Sequence, residues 1–200
     1  DGRLDISAVI EFCSLQRVMG SKTHHRGVQM LAPASALRYN SGRVTITPYW
    51  RFDYRPQPGS IDEYAEELAR LMRRMARRLT RGNARVAMLL SGGLDARMVL
   101  AAAEETLDCY TFGDYLNPEA MAAKAVADAR GFPFHFLTRS PDHYANLADR
   151  GVEMGSGMYA FNHAHAIGFV EEISRDHDVV THGYVPELLF RGSSLPKLDR

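Results

Sequence analysis

Cysteine is nearly absent. Cys13 and Cys109 are the only two in the chain, far apart and without a C-x-x-C pair. That excludes a disulfide scaffold, a zinc knuckle and a thiol-relay enzyme, and it fits a reducing compartment, so a cytoplasmic location is expected. An excess of charge of either sign is also missing. Lys+Arg and Asp+Glu both number 24, which leaves no net field to favour nucleic acid or an anionic membrane as partner. No apolar run approaches the roughly 20 residues that span a bilayer. Internal repeats, low-complexity tracts and any Gly-Lys-Ser/Thr triplet are missing too, and the last absence excludes a Walker-type phosphate loop. What is there is ordinary for a globular chain with a real core: an apolar fraction of 46% and a charged fraction of 24% over a length that suits one domain, or one and part of another. The start, "DGRLDISAVIEF", has neither an initiator Met nor a signal-peptide pattern. It reads as the middle of a longer protein.

The texture of the chain changes near residue 59. Before it come a short helical pattern, "DISAVIEFCSLQRVMG", and the stretch "LRYNSGRVTITPYW", which predicts two short strands around an Asn-Ser-Gly turn. "RPQPGS" then reads as a linker. Ser60 and Glu63 form a capping box ahead of a helical apolar stripe at Ile61, Tyr64, Leu68, Leu71, Met75 and Leu79, which Gly82 ends. From Arg85 strand and helix alternate. "RVAMLL", "LDCYTFG", "FPFHFL" and "HDVVTHG" predict four strands. Helices are expected from Leu94 to about Glu105, over "NPEAMAAKAVADARG" with Asn117 as N-cap and Pro118 at the first helical position, and near 141–154 and 159–175. The alternation predicts an α/β fold with a mostly parallel sheet and helices on both faces, whose ligands bind beyond the carboxyl ends of the strands.

One stretch carries chemistry: "VAMLLSGGLDARMVLAAA", residues 86–103. Between two apolar segments it places Ser91, Gly92, Gly93 and Asp95, at the end of the first expected strand and the start of a helix. The glycines are expected to let the backbone turn tightly with its N–H groups inward, and Ser91 offers a hydroxyl. The helix N-terminus adds partial positive charge, so the loop suits a phosphate chain. Asp95 would repel phosphate unless a cation lies between them. Mg²⁺, which takes one or two carboxylates plus phosphate oxygens, fills that place. The alternative is a plain strand-to-helix turn with Asp95 as a first-turn charge.

"SGGLDA" resembles the SGGLDS pyrophosphate loop of the PP-loop ATP pyrophosphatases, a Rossmann-like fold, and its context resembles the synthetase domain of the asparagine synthetase family. "YTFG" with "NPEAMAAKAVADARGFPFHFL" is similar to that family's second strand and helix. "VVTHGYVPELLFRG" falls where the family has a glycine- and acid-rich segment, and "THHRGVQMLAPASAL" is similar to its interdomain connection. The resemblance implies that residues 1–59 remain from a connection to an N-terminal glutaminase-type domain. Residues 60–200 would be a nucleotide-binding synthetase domain whose helical C-terminal part lies beyond Arg200, so that the 200 residues alone are inactive. It implies an amide ligase: a carboxylic acid, aspartate or another, is adenylated by ATP, pyrophosphate leaves, and ammonia from glutamine displaces AMP. Ser91, Gly92, Gly93 and Asp95 would hold the β- and γ-phosphates and Mg²⁺, and Leu90, Thr111 and Gly183 would lie against the adenosine.

The chain departs from the family at several positions. Ala96 replaces the last Ser of the loop motif and removes a hydroxyl. Glu187 falls at the second metal-binding acid and keeps a carboxylate, while Leu188 loses the next acid. Tyr184 stands where asparagine synthetases have an acidic residue that assists the amine. The resemblance implies Asp95, Tyr184 and Glu187 as the catalytic residues, and a Tyr at this place, which resembles β-lactam synthetases, implies an alternative: a cyclase or amide ligase that uses a substrate amine. A packed aromatic is the other reading of Tyr184, and a degenerate, non-catalytic nucleotide-binding module is the other reading of the whole domain. The arginines between Arg70 and Arg81 follow Asp62, Glu63, Glu66 and Glu67, which suits the helix dipole and i,i+4 pairs on a solvated face. His24, His25, His163 and His165 lack metal spacing. Met72, Met75, Met154 and Met158 read as packing residues.

Overall fold

A computed structural model describes residues 2–51, 53, 55, 57–82, 84–160 and 165–184. In chain order the elements are α1 (Ile6–Leu15), β1 (Ser35–Asn40), β2 (Arg43–Pro48), α2 (Ile61–Thr80), β3 (Val86–Leu89), α3 (Leu94–Ala102), β4 (Asp108–Gly113), α4 (Pro118–Arg130), β5 (Phe134–Thr138), α5 (His143–Met154), α6 (Val170–Asp176) and β6 (Val179–His182). The chain forms two compact units: residues 1–58 with 144–167, and residues 59–143 with 168–200. The segment 144–167 groups with the first unit.

The second unit is built on a four-stranded sheet of order β5-β4-β3-β6, in which every pairing is parallel. Alternation along β3 sends side chains to opposite faces. Val86, Met88 and Leu90 join Ala96, Leu100, Ala123 and Ala127 in one core, so α3 and α4 cover that face. Ala87 packs with Tyr110, Leu137, Phe169 and Ile173 on the other, where α6 lies. Alanines at 120, 123 and 127 are the buried residues of α4, and their small side chains let the helix lie close to the strands. Its ends follow the sequence signals: the Asn117 side chain accepts from the Ala120 N–H at 2.9 Å, Pro118 occupies the first turn, and Gly131 closes the helix at φ +66°.

Helix α2 carries the expected capping box. Glu63 N–H donates to Ser60 Oγ at 3.2 Å, and Ser60 N–H donates to Glu63 Oε2 at 2.7 Å. Its apolar stripe, however, is less buried than its periodicity predicts. Ala76 is the buried residue, while Ile61 is 83% and Met75 51% exposed. The reason is a gap: an apolar cavity of about 360 Å³ lies between α2, α3 and β6, lined by Met72, Met75, Leu79, Val99, Leu107 and Tyr184 among others. The charges of α2 also pair differently. Arg70 bonds Glu67 one turn back, and Arg77 reaches Glu104 beyond α3 at 2.9 Å.

In the first unit, Asp5 Oδ1 caps α1 by accepting from Ser7 N–H at 2.9 Å and Ala8 N–H at 3.3 Å. Strands β1 and β2 pair antiparallel with Asn40 opposite Arg43. The two residues between them, Ser41 and Gly42, both have positive φ (46° and 82°), the left-handed pair a tight hairpin needs. The helix expected over 159–175 is shorter in fact. Tyr159 is in an antiparallel bridge with Arg17, and regular helix begins only at Val170 after a 3₁₀ turn over Ile167–Phe169. Met158 does pack, with Ala8 and Val18, but Met154 is 65% exposed. Among the described residues no helix is long and apolar enough to cross a membrane.

Candidate functional site

Strand β3 passes its last core residue at Leu90, 2% exposed, whose N–H donates to Tyr110 O at 2.8 Å. The chain then surfaces. Ser91 and Gly92 are half-buried and Gly93 is exposed. Gly93 is the N-cap of α3, at φ −72° and ψ 158°, and no side chain caps this helix. Instead Gly93 N–H donates to Ser91 Oγ at 3.3 Å. Amides in the first turn of α3 therefore lack a capping acceptor, and such amides with their helix dipole form a natural seat for an anion.

The structure gives a reason for glycine at Gly92. Neither Gly92 nor Gly93 has a positive φ, so the turn does not require left-handed backbone. Clearance is the reason. A Cβ on Gly92 would lie 2.8 Å from Glu119 O and 3.1 Å from Ala122 Cβ, because the first turn of α4 packs directly on it. Ala96, 3% exposed, faces the core beneath the loop rather than its open side.

The sheet order fixes what faces the loop. The chain runs outward through β3, β4 and β5 and then returns to β6 on the far side of β3. The switch point lies between β3 and β6, the position where open α/β sheets bind ligands. Strand β6 leaves the sheet through Gly183, on which a Cβ would lie 2.4 Å from Ala96 N, 2.5 Å from Ala96 Cα and 2.8 Å from Asp95 C. Residues about ninety positions apart in the chain thus meet, and only a glycine allows it. Tyr184 follows, 75% exposed, with its N–H donating to His182 Nδ1 at 3.1 Å. It is not buried in the core.

Of the residues singled out in the sequence, Asp95, in the turn that follows Ser91, Gly92 and Gly93, meets Gly183 here, whereas Tyr184 lines the apolar cavity between α2, α3 and β6. Thr111 is buried, and its Oγ1 donates to Leu90 O at 2.5 Å, pinning β4 to the end of β3 under the loop. Glu187 lies outside the described residues, as does His163. Among the described residues no group of three or more His, Cys, Asp or Glu side chains could hold a metal ion. That is compatible with Mg²⁺ bound chiefly through phosphate, which needs only one or two carboxylates. Asp95, half-buried in the first turn of α3, supplies a hard oxygen donor of the right kind.

A second polar cluster escaped the sequence reading. Asp108 opens β4 and accepts from His135 Nε2 at 3.0 Å and His177 Nε2 at 3.1 Å. Tyr110 stacks on His135 with centroids 4.6 Å apart. No spacing rule joins residues 108, 135 and 177. They meet because parallel strands align their amino ends. A cavity of about 930 Å³ opens there, at the end of the sheet opposite the loop. Burial acts to raise the Asp108 carboxyl, but the hydrogen bonds from His135 and His177 outweigh it and hold the group below its ordinary range. A folded value below the unfolded one gives stability that is present above about pH 4 and lost as pH falls through the folded value. The melting temperature of the wild type is therefore expected to fall more steeply than that of Asp108→Asn between about pH 6 and about pH 3. Parallel curves would deny the carboxylate this role.

Compared with known families, residues 67–198 match the model of the family described as Asparagine synthase, roughly two-thirds of the chain. Among curated proteins none matches.

Proposed function

The chain belongs to the asparagine synthase family, and from that premise we propose that it activates a carboxylic acid with ATP, releases pyrophosphate and AMP, and forms an amide. The supporting observation is the meeting of the first turn of α3, which follows the loop, with Gly183 at the switch point between β3 and β6. In this reading a carboxylate oxygen of the acid attacks the α-phosphorus and the bond to the β-phosphate oxygen breaks. The nitrogen nucleophile then attacks the acyl carbon, loses a proton and displaces AMP. Ser91, Gly92, Gly93 and Asp95 would hold the phosphate chain and Mg²⁺, with the Asp95 carboxylate on the ion and Glu187 as its second carboxylate. Preorganised donors and a cation stabilise the charge that builds on departing pyrophosphate. Leu90, Thr111 and Gly183 form the floor on the adenosine side, with the Leu90–Thr111 pair fixing the strand ends.

Ammonia from an N-terminal glutaminase domain is the nitrogen source that the family premise favours, with aspartate as one candidate acid. The exposure of Tyr184 favours a second reading, in which its hydroxyl faces a substrate amine and assists the loss of its proton. One assay tests the shared chemistry. The purified full-length protein, of which these 200 residues are read as a part, is given Mg-ATP and a panel of carboxylic acids, with ammonia, glutamine or an amine. Pyrophosphate and AMP are expected in equal amounts, and only when an acid is present. ADP and phosphate, or no turnover with any acid, would reject the reading.

A further inference from the structure

We propose that Arg97 is a pyrophosphate-binding residue of this site, an assignment that rests on the phosphate-loop reading above. Arg97 is the fourth residue of α3, one turn past Gly93. Side chains on a helix lean toward its N-terminus and cover the turn before their own. Arg97 accordingly covers the loop. Its backbone N–H donates to Gly93 O at 3.2 Å, and its side-chain Nε donates to the same oxygen at 3.4 Å. These two bonds bring the root of the guanidinium to the loop. The side chain is exposed, and among the described residues no carboxylate pairs with it. Both terminal nitrogens, with four N–H donors between them, make no hydrogen bond among the described residues.

The charges around the loop give that cation a task. Asp95 stands in the first turn of α3, and Glu119 packs its Cγ against Gly92, 3.2 Å from where a Cβ would be. A phosphate chain arriving here meets two carboxylates, and Mg²⁺ at Asp95 offsets only part of the repulsion. A planar guanidinium can bond two phosphate oxygens at once in fixed geometry, which an ammonium cannot. As the bond between the α- and β-phosphates breaks, negative charge moves onto the pyrophosphate side, toward Arg97 and the α3 N-terminus. In this assignment the residue serves the leaving group rather than the nucleoside.

The test measures binding of Mg-pyrophosphate and of AMP to the purified full-length protein by calorimetry, in the wild type, Arg97→Ala, Arg97→Lys and Asp95→Asn. Loss of a charge-assisted contact predicts about ten- to hundredfold weaker Mg-pyrophosphate binding by Arg97→Ala. AMP affinity and melting temperature should not change, since the side chain is exposed and touches only the loop carbonyl. Arg97→Lys should recover part of the affinity. If Asp95→Asn weakens Mg-pyrophosphate binding and Arg97→Ala does not, Arg97 is a solvated surface residue and the phosphate site stands without it. If the wild type binds neither Mg-pyrophosphate nor Mg-ATP, the phosphate-loop reading fails and the assignment of Arg97 fails with it.

Discussion

Asp95→Asn should eliminate Mg-dependent pyrophosphate release while leaving the protein folded. The substitution keeps size and shape and removes a charge. On the folding side the loss is small, because a carboxylate in the first turn of an exposed helix is worth about 0.3–1 kcal/mol and Asp95 is only half-buried. For catalysis the loss is large. A neutral amide is a poor ligand for Mg²⁺, and an ion clamped at the leaving group supplies several kcal/mol of transition-state stabilisation. Each 1.36 kcal/mol is a factor of ten in rate, so about a thousandfold or greater loss is expected. The measurement is pyrophosphate release at saturating Mg-ATP, beside a thermal melt. A variant that melts like the wild type and turns over at the wild-type rate would remove Asp95 from the metal site. A variant that is slow and also unfolded would be read through Asp95→Glu, which keeps the carboxylate.

The local elements of the second unit were legible in the sequence because their signals are local. Asn117, Pro118 and Gly131 mark the ends of α4 through backbone chemistry that acts within a few residues, and the structure uses each of them. The same is true of the Ser60–Glu63 box and the Ser41-Gly42 turn. Alternation of strand and helix implied a parallel sheet, and the sheet is parallel throughout. Periodicity overstated burial on α2, since a stripe records which face is apolar and not whether a partner covers it. It also extended a helix over Tyr159, where a bridge to Arg17 competes for the backbone.

At the candidate site, the sequence implied a tight Gly-Gly turn between strand and helix, and the long-range packing that leaves no room for a Cβ at Gly92 beside Glu119 O was not legible in it. Arg97 carries no motif of its own. Its significance comes from being one helical turn after the N-cap, which makes it visible once the boundary of α3 is fixed. The Asp108, His135 and His177 cluster was beyond reach for a different reason: its members are neighbours through strand alignment, a long-range property.

Gly183→Ala is expected to cost both stability and turnover, and the comparison with Gly131→Ala separates the two effects. At Gly183 a methyl group would sit 2.4–2.8 Å from three backbone atoms of Asp95 and Ala96. Backbone cannot swing aside as a flexible side chain can, so β6 and α3 must separate by a substantial fraction of an ångström. Overpacking of this kind costs about 1–3 kcal/mol. The displaced atoms belong to the turn that presents the loop amides and Asp95, and a misplacement of about 1 Å can cost about a hundredfold in rate. Gly131 is strained differently. Its φ is +66° and nothing lies within 4 Å of an added Cβ, so alanine there should lose about 1 kcal/mol of stability through the left-handed backbone alone and leave turnover unchanged. Pyrophosphate release is compared at a temperature where both variants are fully folded. If Gly183→Ala then works as well as Gly131→Ala, the exit of β6 and the first turn of α3 do not form one site, and ATP must bind elsewhere on the sheet.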